Sequence, residues 1–196
     1  LVQGAGVGYD AAPPHNASGS STWVTNASGG DYYAAPVGAT PILRFDLGSD
    51  VLLSEISTWG YSNGNSNGAK DFSLRFATAA DGTGGFGTSI TYNPSFIAAF
   101  SATTRDRHDF SELVTARYVE MTITDNYGGI GGFPAGGDRV GLGEVAFGAS
   151  GTGAGAPGAT ANDPSGAGGS PHPNISITRT IAKVHAKYSC FAVTSW

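Results

Sequence analysis

The chain has 196 residues and a net charge of −5, with 31 glycines, 11% aromatic and only 13% charged side chains. That length holds one domain of about 150 residues plus an appendage, and the glycine and aromatic content suits short strands joined by tight turns rather than long helices. The acidic balance argues against a nucleic-acid partner, the single Cys190 forbids an internal disulfide, and no apolar run approaches the roughly 18 residues of a membrane span.

Leu1 stands where a nascent chain has Met, which fits either a processed chain, with removal of a secretory signal as one expectation, or an excised piece of a longer one. Turn clusters then separate short apolar runs at the spacing of a β-sandwich, and strands are predicted over 41–47, 52–60, 71–78, 88–92, 95–100, 116–124 and 140–147. In 71–78 the residues Phe72, Leu74 and Phe76 share one face, so that strand should lie on the core, and Asp81-Gly82 marks a turn after it. In 116–124, Tyr118 and Glu120 alternate with Val119, Met121 and Ile123, the period-2 pattern of a sheet with one buried face. The cluster Arg105-Asp106-Arg107-His108-Asp109 reads as a solvated, self-compensating turn.

Four features carry a resemblance. Thr22-Trp23, the run Ile42-Leu43-Arg44-Phe45-Asp46-Leu47-Gly48, the strand 70–78 with its Asp81-Gly82 turn, and Ala116-Arg117-Tyr118-Val119 with the closing Glu144-Val145 follow one another in order. Together they resemble discoidin-type domains, the coagulation factor V/VIII C-type modules of the galactose-binding-like superfamily, a sandwich shared with many carbohydrate-binding modules. The resemblance implies an all-β jelly-roll β-sandwich over residues 1–147 and a tryptophan at position 23 that packs beneath the first sheet.

No catalytic constellation stands out. The four histidines, His15, His108, His172 and His185, fall in predicted loops or the tail without a two-on-one-helix spacing, and no Gly-x-Ser-x-Gly elbow occurs. The candidates for chemistry are polar and aromatic loops. Between Tyr61 and Lys70 the connection carries Asn63, Asn65 and Asn67; each amide offers a donor and an acceptor at the separation of a sugar diol, and Tyr61 can carry the C–H face of a pyranose. The same residues also suit left-handed turns, which would make them structural. The resemblance adds Asn126, Tyr127, Phe133 and Arg139 from the glycine-rich loop 125–139, with a bland alternative in which Phe133 plugs the sandwich and Arg139 pairs with Asp138. It further implies a structural Ca²⁺ on Glu144. The usual Asp-Gly of the first loop is replaced by Asn16-Ala17-Ser18-Gly19, so Asp31 or backbone carbonyls would have to supply the missing oxygens.

Asn16, Asn26 and Asn174 each open a short glycosylation pattern that such loops generate by chance. After the first domain the composition changes. Residues 1–147 carry 7 basic and 14 acidic side chains, and residues 148–196 carry 3 and 1. Residues 148–174 read as a Gly/Ala/Pro/Ser linker, flexible because nothing in it repays ordering. The tail 175–196 reads two ways: as a basic amphipathic helix with Ile177, Ile181, Val184, Tyr188 and Phe191 on one side, or as an added β-branched strand. The expected function is a secreted, non-catalytic glycan-binding module. The alternatives are a structural or adhesive subunit that self-associates through its tail, and an accessory domain of a secreted glycoside-active enzyme.

Overall fold

The computed structural model describes residues 22–34, 40–61, 66–101, 104–132 and 136–150. Alternation along the strands decides which face is buried. In Asp71–Ala77 the side chains of Phe72, Leu74 and Phe76 are fully enclosed while Asp71, Ser73 and Arg75 face the other way, and Val119, Met121 and Ile123 repeat the pattern in Asp106–Ile123. The strands are β1 (Trp23–Val24), β2 (Ile42–Gly60), β3 (Asp71–Ala77), β4 (Ser95–Ile97), β5 (Asp106–Ile123) and β6 (Gly141–Ala149). They form one antiparallel sheet in the order β1-β6-β2-β5-β3-β4. Among the described residues the helical content is one 3-10 turn, Gly82–Gly85.

Two strands belong to both layers of a sandwich. The first half of β2 pairs with the end of β5, from Ile42↔Thr122 to Asp46↔Tyr118; the second half pairs with the start of β5, from Glu55↔Asp109 to Thr58↔Asp106, and with β6. Between the halves the chain bends at Gly48, whose φ of 85° suits glycine and whose N–H donates to Asp46 Oδ1 at 2.8 Å. The sheet therefore folds over on itself. Rings meet across the layers: Phe45 on Phe147 at 5.3 Å, Phe76 on Phe110 at 5.5 Å, and Phe72 on His108 at 5.4 Å. Trp23 is half-buried against this core, opposite Leu142.

The predicted strands at 41–47 and 52–60 are thus one bent strand. The stretch 88–92 forms no strand: residues 86–89 turn, Pro94 lacks a ladder N–H, and Tyr92 instead stacks on Phe76 at 6.1 Å and accepts the Ser111 N–H at 2.9 Å. The predicted turn at 105–109 is the beginning of β5, and His108 lies on that strand. Burial of Glu55 explains it. Its carboxylate is held by Arg105 and Arg107, each at 2.7 Å, and a Cβ at Gly148 would stand 2.3 Å from its Cγ, so the two guanidinia satisfy an interior carboxylate, while within the cluster Arg107 also pairs with Asp109 and His108 lies 3.0 Å from Asp106. A second such triad crosses β2, β5 and β3, where buried Glu120 accepts from Arg44 Nε at 2.8 Å and Arg75 Nε at 2.9 Å. At the far end β6 runs to Ala149, two residues past the expected domain edge, and Ser150 N–H still donates to Leu52 O at 2.8 Å. The rest of the expected linker, and the whole tail with its proposed self-association, lie outside the described residues.

Candidate functional site at the loop end of the sandwich

The end of β2, the starts of β3 and β6 and the end of β5 come together at one end, because short ladders link their connections. Ala69 N–H donates to Gly141 O, Gly141 N–H to Asn67 O and Lys70 N–H to Asp125 O, at 2.8, 2.7 and 2.9 Å. The segment after β1 joins them through Thr25 N–H to Val140 O at 2.9 Å and Tyr32 N–H to Gly137 O at 2.8 Å. Tyr33, its phenol pushed up in pKa chiefly by burial, donates its hydroxyl to Ile123 O at 2.9 Å.

The amide side chains expected on the ligand hold these loops. Asn126 is 1% exposed; its Nδ2 donates to Gly137 O at 3.1 Å and Arg139 O at 2.9 Å, while its Oδ1 accepts from Gly128 N–H at 2.8 Å. Asn67, also buried, accepts the Gly137 N–H on Oδ1 at 2.5 Å. Where the two limbs of the 124–140 connection cross, only glycine fits. A Cβ on Gly128 would lie 2.8 Å from Gly137 Cα, and Gly137 has φ 90°. Tyr127 is likewise enclosed, its hydroxyl donating to Ala98 O and its ring meeting Phe100 edge-on at 4.9 Å. Burial raises its pKa above the ordinary phenol value.

Tyr61 and Arg139 are more open, both half-buried. The Tyr61 ring lies flat where a Cβ on Gly141 would be, 2.2 Å from its nearest carbon, so the missing side chain makes its seat. Beside it Arg139 pairs with Asp138 at 3.2 Å, which holds the guanidinium pKa up, and the Tyr61 phenol lies close enough to add to that effect. Lys70 bridges Asp125 at 2.6 Å and Asp71 at 3.2 Å, and its ammonium pKa is raised, first by Asp125. The small cleft between Tyr61, Ala69, Ala99, Phe100 and Tyr127 has a volume of only about 10 Å³. A space of that size barely holds one water. The aromatic groups therefore offer a platform rather than a pocket. Phe100 joins the candidates here; its place at the end of the predicted run 95–100 marked it as apolar, and only the fold brings it against Tyr127. Asn63, Asn65 and Phe133 lie outside the described residues.

For a metal, Asp31 Oδ1 already accepts the N–H groups of Tyr33 at 3.1 Å and Ala34 at 3.4 Å, capping its own turn, and Glu144 is buried on β6 opposite Trp59. Among the described residues no three acidic, His or Cys side chains gather to hold an ion. Two carboxylates fall short of the six to eight oxygens of Ca²⁺, and residues 16–19, which the resemblance sets opposite Glu144, lie outside the described residues. The described donors alone do not make a calcium site.

No protein-family model matches the chain, and no curated protein matches it. Among solved structures, the chain is similar to a truncated AlyQ with CBM32 and alginate lyase domains, at 21% identity and a TM-score of 0.41 over 65% of this chain and 26% of that one. It is also similar to the family 32 carbohydrate-binding module of C. perfringens NanJ in complex with galactose, at 12% identity and a TM-score of 0.38 over 63% and 73% of the two chains. A third is the lectin domain of lectinolysin complexed with Lewis B antigen, at 14% identity and a TM-score of 0.40 over 67% and 93%. The chain spans about a quarter of the first of these. What each binds is a property of that protein.

Proposed function

We propose that the chain is a non-catalytic glycan-binding module of an extracellular protein, with its ligand on the loop end of the sandwich. One observation carries this reading: Tyr61 lies flat on Gly141 with the Asp138–Arg139 pair beside it, on loops pinned from beneath by Asn67 and Asn126. A rigid ring presents an apolar face to sugar C–H groups, and neighbouring charged donors and acceptors suit hydroxyl pairs at little entropic cost, because the backbone that carries them is already fixed. The buried amides are scaffolding in this reading, and the sugar-facing groups are Tyr61, Phe100, Asp138 and Arg139. Titration of the chain with galactose, N-acetylgalactosamine, glucose and mannose, followed by amide chemical shifts, should move Tyr61, Arg139 and their neighbours. Tyr61→Ala should weaken that binding by about 1–3 kcal/mol, the loss typical of an aromatic anchor, with the melting temperature kept. Shifts confined to the opposite end, around residues 47–51 and 78–90, would refute the site.

A further inference from the structure

An open space lies beside this platform, on the solvent side of β3 and β4. It is a groove of about 430 Å³ lined by Asp71, Ser73, Ser95, Ile97 and Thr124 together with Phe72 and Phe96. That volume falls within the roughly 300–1,000 Å³ of small-ligand sites. Its chemistry is that of a polyol receptor. Ser73 and Ser95 have hydroxyls with no hydrogen-bond partner among the described residues. Ile97, 68% exposed, supplies an apolar wall.

The edge adds backbone groups. Leu74 N–H donates to Pro94 O at 2.9 Å and Ala98 N–H to Lys70 O at 2.8 Å, so the alternation of an antiparallel ladder turns the N–H and C=O of Ser95 and Ile97 away from β3. A peptide strand is the poorer fit for this edge, because β4 has three residues and follows Pro94, the blunted form that discourages strand addition. A polyanion is disfavoured too. Lys70 is shared between Asp71 and Asp125, Arg44 and Arg75 are shared on Glu120, and the chain as a whole is net negative.

The groove continues the Tyr61 platform. Ala69 and Ala99 line the small cleft, and Asp71 and Ile97, at the ends of β3 and β4, line the groove, each two residues along the chain from its counterpart and so about 7 Å from it where the backbone is extended. We infer that the ligand is a neutral oligosaccharide chain rather than a lone terminal sugar, held at one point on Tyr61 and further along in the β3–β4 groove. This rests on the glycan-binding reading above and extends it.

Native gels containing soluble galactan, xylan, galactomannan or mixed-linkage β-glucan would identify a retarding polymer, and calorimetry would then compare its hexasaccharide with its monosaccharide. The hexasaccharide should bind about tenfold tighter or better, equivalent to about 1.4 kcal/mol. Ser95→Arg, which fills the groove, should abolish the excess and leave monosaccharide affinity unchanged; Ile97→Asp, on a side chain already in water, should do the same if the first variant melts early. Equal affinity for the two ligands, or a length gain that survives both variants, would overturn the groove while the platform stands. Retardation by none of the polymers, together with no shift by any monosaccharide, would overturn the glycan reading itself and the groove with it.

Discussion

Asn126→Ala separates a scaffolding amide from a ligand-binding one. The side chain makes three hydrogen bonds to backbone in a site 1% exposed, each worth about 0.5–1.5 kcal/mol net. Gly137 O keeps a second donor, Tyr32 N–H at 2.8 Å, but Arg139 O and Gly128 N–H lose this partner inside the fold. The loss should therefore be about 2–3 kcal/mol, or roughly 8–12 °C in melting temperature at about 4 °C per kcal/mol for a domain of this size. Asn126→Asp should be at least as damaging, because a carboxylate still accepts from Gly128 but sets negative charge against two carbonyl oxygens. Thermal melts by circular dichroism, with sugar affinity measured well below the transition, provide the assay. Both variants should melt early and keep most of their affinity if the loop recloses. Asn126→Ala that melts like the parent and has lost sugar binding would refute the reasoning and put the amide on the ligand.

His108 supplies a pH test. Burial between Phe72 and Phe96 holds its imidazole below the ordinary 6.5, against the opposing pull of Asp106, 3.0 Å from Nε2. The folded chain then binds this proton less tightly than the unfolded one, so stability is complete above about pH 6.5 and is lost as pH falls toward the lower folded value. His108→Gln should flatten that part of the stability profile in urea melts at pH 5–7, and an unchanged slope would show that other groups cause it. If Glu144 and Asp31 hold Ca²⁺ together with first-loop oxygens, EDTA should lower the melting temperature, Ca²⁺ should restore it, and Glu144→Gln should erase the difference; a melt indifferent to both removes the ion.

Much of the sandwich was legible in the chain because a period-2 pattern reports a local fact, which face of a strand meets the core. Phe72, Leu74 and Phe76 were placed on that face correctly, as were Val119, Met121 and Ile123, since hydrophobic burial dictates their register without reference to the partner strand. What the pattern could not carry was the partner. Arg105 to Asp109 looks like a self-neutralising turn until Glu55, fifty residues earlier, requires two guanidinia in the interior. The loop end shows the same division. Residue chemistry marked Tyr61 and Asn67 as polar and aromatic groups on a loop, the resemblance added Asn126, Tyr127 and Arg139, and the structure places all five at one end of the sandwich. Whether an amide faces a ligand or a backbone carbonyl depends on how closely two loops approach, and Gly128 and Gly137 set that distance here. The sequence by itself determined an all-β chain, the core faces of its strands and the loops that carry its polar groups, because these follow from side-chain chemistry and near-neighbour spacing. Only the tertiary structure decided that two strands bend to serve both layers, that Asn126 and Asn67 are buried, and that a hydroxyl-lined groove opens beside Tyr61, because each depends on contacts between residues far apart in the chain.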